Sequence, residues 1–401
     1  MFPNGISNCI TKKCNRRKKY KNEMRILIIC KALEHSFTGG IQTHVSSLSK
    51  ELITQGHEVT LLTACNKKPS DLQNDNSSIK LVHLRYLPKQ LAFGLSKYLG
   101  ELSFNLMVKR YVKKYQDQYD IIHVQGRSGS MLSNTKIKKP IVTTVHRIME
   151  IEKAWNKCEY SNSLDRYLHI RWCNSFENRI LNNSNAIIAV SNNTKKELWK
   201  HCQIDTHINI IPNGVEIPFE PAEGIRKNLL FVGRLTEVKG LSTLIEAFKF
   251  VNKSIKLNIV GDGPYRDKLT ALIKNSKFEN RIKLLGQKDR EDVYKLMSIS
   301  QALVLPSFHE SQGIVLLEAN AHQLPVIATN NSGITEFVIN GLNGLLFQNA
   351  KASDLASKIN ALFDNPDLAS KMGKNGKRKM EDLFNWKTIT NSTIDVYKSV
   401  A

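Results

Sequence analysis

No apolar run of about 18 residues occurs in this 401-residue chain, so nothing in it has the composition of a membrane-spanning helix. Acidic residues are scarce. The chain has 36 Asp and Glu against 58 Lys and Arg, for a formal net charge of +22. Such an excess points to an anionic partner: nucleic acid, a phosphate-bearing substrate or an acidic membrane surface. The seven cysteines (Cys9, Cys14, Cys30, Cys65, Cys158, Cys173 and Cys202) are odd in number, and none lies in a CxxC pair or a zinc-like Cys/His spacing. That excludes a disulfide framework and fits free thiols in a reducing compartment, with Cys30 and Cys65 in or near a core. No GxGxxG motif exists, so a dinucleotide fingerprint is unsupported. A secretory signal is missing too: residues 1–25 hold eight Lys or Arg and one Glu, without an apolar stretch. The chain reads as cytoplasmic. Met24-Arg25-Ile26-Leu27-Ile28-Ile29 looks like a domain start, with residues 1–23 a basic, disordered leader.

What is present suffices for large cores. Apolar residues make up 41% of the chain, and the length allows two domains of about 200 residues each. Ile26–Cys30 is a short buried-strand pattern, followed by a loop ending in Gly39-Gly40. Ile41, Val45, Leu48, Leu52 and Ile53 then recur at helical spacing, Gly56 closes the helix, and Val59–Thr63 is the next strand. This unit seeds a parallel sheet with right-handed crossovers. Gly39-Gly40 is either a plain turn or a place where backbone N–H groups meet an anion at a helix start. Residues 90–115 predict a long helix whose basic residues are either a solvated face or a membrane-binding one. Gln125-Gly126 and His146-Arg147 follow buried strands, and Ser191 caps a helix over 192–200. Residues 216–226, with Pro218, Pro221 and Gly224, read as the connection between domains.

The second half repeats the layout. Strands over 228–232, 256–260, 282–285, 302–305 and 326–328 are each followed by glycine-bearing or polar turns. A short helix is expected around Glu336, one long helical region over 351–383, and a last helix from Trp386 to Ser399 that returns to brace the first domain. The centre of this half is 306–319. There an apolar strand ends at Pro306-Ser307, a loop carries Glu310, and an apolar helix carries Glu318. A carboxylate among Ile314, Val315, Leu316 and Leu317 needs hydrogen-bond donors to be tolerated, whether ligand hydroxyls, backbone amides or an Arg. Arg234 and Lys239 suit a diphosphate, the guanidinium binding bidentately and the ammonium as a point charge, but the same pair also suits a plain surface.

At these motifs the sequence resembles the retaining glycosyltransferases of family 4, which have the GT-B fold. The resemblance spans roughly residues 24–400. It rests on Gly39-Gly40-Ile41-Gln42-Thr43-His44-Val45, Gly56-His57-Glu58-Val59, Asp120-Ile121-Ile122-His123, Thr144-Val145-His146, Pro212-Asn213-Gly214-Val215, Gly233-Arg234-Leu235 with Lys239-Gly240, Gly261-Asp262-Gly263-Pro264, Glu310 with Glu318, and Pro325-Val326-Ile327-Ala328-Thr329. It implies an α/β protein of two Rossmann-like, doubly wound domains facing a cleft. The acceptor domain would be 24–212 with 385–401 crossing back, and the donor domain 213–384. Arg234 and Lys239 would hold the diphosphate of a nucleotide sugar, and Glu318 its ribose. Glu310 and His146 would lie at the sugar, with Gln312, Gly313, Ile314 and Val315 offering backbone N–H groups. Gly40 and Gly233 would meet phosphate, and Gly261, Gly263 and Gly286 would shape the base pocket. Retention of anomeric configuration and a UDP-sugar donor are expected. No metal requirement and no other cofactor is expected, in keeping with the absence of an Asp-x-Asp motif. The acceptor would be a glycan or lipid-linked molecule of surface-polysaccharide or lipopolysaccharide assembly, met at the anionic inner face of the membrane. Two positions depart from the pattern. Gln312 stands where an aromatic is frequent, and Ser332-Gly333 stands for Gly-Gly. Two other readings compete. A nucleotide-sugar epimerase of the same fold would not need the Glu310/Glu318 arrangement. A nucleic-acid-binding protein would explain the charge, but the basic residues are dispersed and no aromatic platform interleaves them.

Overall fold

A computed structural model describes residues 23–31, 39–64, 79–85, 95–148, 162–218, 226–331 and 333–401. The leader, Cys65, Cys158, residues 90–94 and most of the expected connection therefore lie outside the described residues. The first half runs β1 (Arg25–Ile29), α1 (Gly40–Thr54), β2 (Glu58–Ala64), β3 (Lys80–Leu84), α2 (Ser96–Tyr115), β4 (Ile121–Gln125), β5 (Ile141–Val145), α3 (Ser163–Asn182), β6 (Ala186–Ala189), α4 (Asn192–His201) and β7 (Ile208–Ile210). The second begins β8 (Leu229–Val232), α5 (Leu241–Ala247), β9 (Leu257–Val260), α6 (Arg266–Ser276), β10 (Ile282–Gly286) and α7 (Arg290–Ile299). It continues β11 (Ala302–Leu305), α8 (Ile314–Ala321), β12 (Val326–Thr329), β13 (Gly344–Phe347), α9 (Ala352–Asp364), α10 (Pro366–Lys379) and α11 (Trp386–Val400).

The strands form two sheets, ordered β3-β2-β1-β4-β5-β6-β7 and β10-β9-β8-β11-β12-β13. Neighbouring strands pair in parallel throughout both. Parallel strands covered by helices on both faces must be apolar on both faces, and Ile26–Ile29, Ile121–Val124 and Ala302–Leu305 are buried at every position. Strand order reverses beside β1 in one sheet and beside β8 in the other. Such a reversal opens a crevice outside the strand C-termini.

The last helix belongs to the first half's core. Trp386, Ile389, Ile394, Val396 and Tyr397 pack with Ile26, Ile28, Val45 and Leu48 beneath the first sheet. The crossing is fixed locally. A π-helical turn, Met380–Phe384, ends α10's run. Val215 donates its N–H to the Phe384 carbonyl at 2.8 Å, and Asn385 caps α11 by accepting from Thr388 N–H at 2.9 Å.

The structure corrects several expectations. The helical region 351–383 is two helices, because Pro366 takes the first position of α10 and Asn365 caps it. Glu336 lies in a series of turns, not a helix. Strand β13 was not expected, and the helix expected to reach Val251 ends at Ala247. Helix α2 turns Phe104, Val108 and Val112 into the core and leaves Leu106, Arg110, Lys113 and Lys114 exposed, the pattern of a core-facing helix with a basic outer face. Cys30 is buried, as are Cys173 and Cys202. No described helix is long and apolar enough to cross a membrane.

Candidate functional site

The two halves enclose a cavity of about 500 Å³ at the C-terminal ends of both sheets. From the first half come Gly39–Thr43, His146, Arg147, Val190 and Asn213. The second half contributes Gly233, Arg234, Lys239, Lys288, Arg290, Tyr294, the loop from Glu310 to Val315, and Glu318. Five of these side chains are Lys or Arg and two are carboxylates, so the wall favours an anion.

Two helix starts meet here. α1 begins at Gly40, with no acidic residue in its first turn, and α8 begins at Ile314 after Gly313, whose φ of 75° is left-handed. A Cβ on Gly40 would come within 2.9 Å of the Ile314 Cδ1, so the two starts face each other closely. The first amides of a helix lack intrahelical acceptors and carry the positive end of its dipole. Opposed across one cavity, they form an anion site of the kind phosphates occupy.

Lys239 and Glu310 are an ion pair, both largely buried. Ser307 Oγ donates to the same Glu310 Oε1 at 3.1 Å. Burial alone would push the Glu310 carboxyl up, but Lys239 and Arg147 more than offset it and hold the group below the usual carboxylate range. Glycine makes this pairing geometrically available. Gly240, left-handed at φ 65°, lets the Lys239 turn approach the Pro306 carbonyl, where any Cβ would overlap it.

Glu318 has a different environment. Burial pushes its carboxyl up to about 7, against the attraction of Arg290, with Glu216 adding repulsion. Arg290 Nη2 lies 3.9 Å from Glu318, its Nη1 lies 3.3 Å from Glu216, and its guanidinium stands over the Tyr294 ring at 5.2 Å. Glu216 in turn accepts from Ser47 Oγ of α1 at 3.3 Å, tying the clamp to the other half. The Glu310 and Glu318 carboxylates therefore have separate cations, and they are not one acid/base pair.

His146 is buried and neutral, because burial, with His44 and His123 adding repulsion, lowers its pKa well below the usual imidazole value. Its Nε2 lies 2.9 Å from Gln125 Oε1. The Gln312 amide oxygen is taken by Asn213, whose backbone N–H donates to it at 2.9 Å. Gly261, Gly263 and Gly286 do not line the cavity. A Cβ on Gly261 would overlap the Gly233 carbonyl and one on Gly263 the Leu235 carbonyl, while Gly286 accepts from Gly261 N–H at 2.8 Å. Gly261 and Gly263 pack the turns behind the lining, while a Cβ on Gly286 would meet nothing within 4 Å.

Sequence reasoning passed over Arg147, Asn213, Lys288, Arg290 and Tyr294 as site residues. Position was the available signal: Arg147 follows β5, and Lys288 and Arg290 follow β10, both at strand C-termini. Further contacts hold the halves together. Glu336 accepts from the backbone N–H groups of Asn192 and Asn193 at 2.7 Å each, capping α4 from across the cleft. His309 Nε2 lies 3.5 Å from Glu197.

Gly333 supports the Glu310 loop from behind, since a Cβ there would overlap the Glu310 carbonyl. Gly333→Ala should cost about 1–3 kcal/mol of stability through overpacking and displace Glu310 and Gln312. Thermal melting together with turnover would show it; unchanged values for both would contradict the assigned packing.

Comparison with known proteins gives the same picture. Residues 216–379 match the family model described as Glycosyl transferases group 1, and residues 38–218 match Glycosyltransferase Family 4. An uncharacterised glycosyltransferase of Methanocaldococcus jannaschii is 28% identical over 379 residues, covering 93% of this chain and 98% of its own. Sucrose-phosphate synthase from Thermosynechococcus elongatus superposes with a TM-score of 0.79 at 22% identity, covering 94% of this chain and 99% of that one. Anabaena HepE, solved in complex with UDP and glucose, has a TM-score of 0.74 at 20% identity over 94% of this chain and 100% of its own.

Proposed function

Because the chain belongs to the group 1 and family 4 glycosyltransferases and has their GT-B fold, we propose that it transfers a hexose from a UDP-sugar, with retention of anomeric configuration, to a lipid-linked or surface-polysaccharide acceptor. The observation that carries the donor reading is the cavity itself. Two helix starts, Arg234 and Lys239 converge on one space, and Glu318 stands at its edge. In this reading the diphosphate lies against Gly40, the α8 start, Arg234 and Lys239. The ribose hydroxyls donate to Glu318, and Lys288, Arg290 and Tyr294 border the base. Uridine is supported by the complex of HepE with UDP. Breaking the sugar–phosphate bond builds negative charge on the leaving diphosphate. Fixed cations and helix starts in a closed cleft stabilise that charge without reorganising. Protein cations then fill the role a metal plays elsewhere, so transfer should proceed without added divalent ions.

Retention has two routes. Glu310 could attack as a nucleophile, or the departing phosphate oxygen could take the acceptor proton on the same face of the sugar. The second is favoured here, because Glu310 Oε1 is occupied by the Lys239 ammonium and the Ser307 hydroxyl. Its remaining lone pairs suit sugar hydroxyls. Glu310→Gln should therefore keep measurable transfer. A trapped covalent glycosyl–Glu310 adduct would overturn this route.

The acceptor assignment is supported by the +22 charge and by the basic outer face of α2. Co-sedimentation with vesicles should occur with anionic lipid, weaken with salt and be absent with zwitterionic lipid. The donor is tested by a thermal-shift screen against UDP-, GDP- and ADP-sugars. UDP-sugars should raise the melting temperature most, and no response to any of them would sink the donor reading.

A further inference from the structure

A chain of buried polar groups runs from the cleft into the first domain and ends on α11. His146 Nε2 lies 2.9 Å from Gln125 Oε1. Gln125 Nε2 is 3.2 Å from His123 Nε2, which Thr144 Oγ1 also approaches at 2.7 Å. His123 Nδ1 is 2.6 Å from the Tyr397 hydroxyl. His123 and Tyr397 are 0% exposed, Thr144 1%, Gln125 3% and His146 8%. Buried polar side chains of this kind hold unique positions only when donors and acceptors match along the whole chain.

The matching fixes each proton. A carbonyl oxygen only accepts, so His146 Nε2 carries its hydrogen and donates to Gln125 Oε1. An amide nitrogen only donates, so His123 Nε2 is the acceptor, its single lone pair shared between Gln125 N–H and the closer Thr144 Oγ–H. His123 must then carry its hydrogen on Nδ1 and donate it to the Tyr397 oxygen. Every bond points the same way, from the cleft to α11. Neutral His146, a residue of the cavity lining, then has an Nδ1 that can only accept.

We propose that Tyr397, Gln125 and His123 are positioning residues that set the tautomer of His146, with the Tyr397 oxygen as the acceptor that terminates the relay. This rests on the reading above that His146 meets the donor sugar. In that role the bare Nδ1 accepts a hydrogen bond from a sugar hydroxyl. A reversed relay would turn it into a donor, so the hydroxyl would have to accept and aim its own hydrogen elsewhere. The crossing helix thus does more than brace the first domain. It completes the hydrogen bonding of a cleft residue on the sheet face that α1 and α11 cover.

The test uses the full chain with 15N-labelled histidine and no ligand. His146 and His123 are assigned by loss of their signals in His146→Gln and His123→Gln. In the parent protein His146 should show hydrogen on Nε2, and His123 on Nδ1. Tyr397→Phe keeps the ring and its packing but removes the terminal acceptor. A buried N–H without an acceptor costs more than a bare nitrogen without a donor. His123 should therefore shift its hydrogen to Nε2, the Gln125 amide should reverse, and His146 should shift its hydrogen to Nδ1. The kcat should fall about 3- to 10-fold, the size of one neutral hydrogen bond, with the donor KM within about twofold.

Gln125→Glu supplies the second arm. A carboxylate accepts from both imidazoles, so His146 should keep hydrogen on Nε2 even when combined with Tyr397→Phe, and kcat should recover relative to Tyr397→Phe alone. An unchanged His146 tautomer in Tyr397→Phe overturns the proposal, whatever the melting temperature does. A tautomer shift that leaves kcat unchanged overturns the positioning role. The nitrogen signals are read without substrate, so a failure of the UDP-sugar reading would appear as missing turnover in the parent protein and would leave the tautomer result intact.

Discussion

Replacing Lys239 by Met should lower kcat about 100- to 1,000-fold, the usual cost of removing one group that stabilises developing charge. Lys239 is held from two sides. Its turn is pressed against Pro306 through Gly240, and its ammonium is paired with Glu310. Part of any loss could come from damage to the fold, because removing one partner strands a buried carboxylate, typically at about 3–5 kcal/mol. The double variant Lys239→Met with Glu310→Gln separates the two effects. It replaces the pair by neutral groups of similar size, so stability should recover while turnover stays low. Arg234→Ala should show a loss of similar order at saturating donor. A fall of less than about tenfold in both variants would remove these residues from charge stabilisation.

Glu318→Gln should raise the donor KM by about 10- to 100-fold, as expected for losing hydrogen bonds to a charged acceptor. The pH dependence gives a sharper signature. The Glu318 carboxyl sits at about 7 in the folded protein, against an ordinary value of 4.5. Below about 7 it is therefore mostly protonated in the empty cleft. Ribose hydroxyls bind the ionised form best, so donor affinity should rise between pH 6 and 8, and binding near pH 6.5 should release a proton. Calorimetry in buffers of different ionisation enthalpy would measure that proton. The stability effect has the opposite sign. A folded value raised above the unfolded one means that stability from this group is full below 4.5 and falls as pH rises toward 7. Glu318→Gln should thus melt at a higher temperature than the parent at pH 8 while binding donor less tightly, a trade-off common at functional sites. A parent protein whose donor affinity is flat from pH 6 to 8 would contradict the assignment.

The parallel sheets were legible because strands buried on both faces must be continuously apolar, as Ile26–Ile29 and Ala302–Leu305 are. Gly40, Gly233, Arg234, Lys239, Glu310, Glu318 and His146 were legible because each follows a strand, where open α/β sheets place their ligands. Legibility failed where function depends on a partner distant in sequence. Gln312 carries no sign that its amide would be taken by Asn213, 99 residues away. Arg290 looks like an ordinary helix-start residue until Glu216 and Glu318 are placed beside it. Gly261 and Gly263 were expected to shape the base pocket, but they lie outside the cavity lining and against the Gly233 and Leu235 carbonyls.

Sequence alone therefore determined the α/β class, the repeated halves and the residues available to the cleft, because periodicity and turn chemistry act over a few neighbouring residues. The tertiary structure decided their partners and surroundings. It separated Glu310 from Glu318 by giving each its own cation, and it raised one carboxyl while lowering the other. It also brought Tyr397 to within hydrogen-bond reach of His123, across 274 residues of chain. Charge state and proton position depend on burial and on partners that local sequence does not encode.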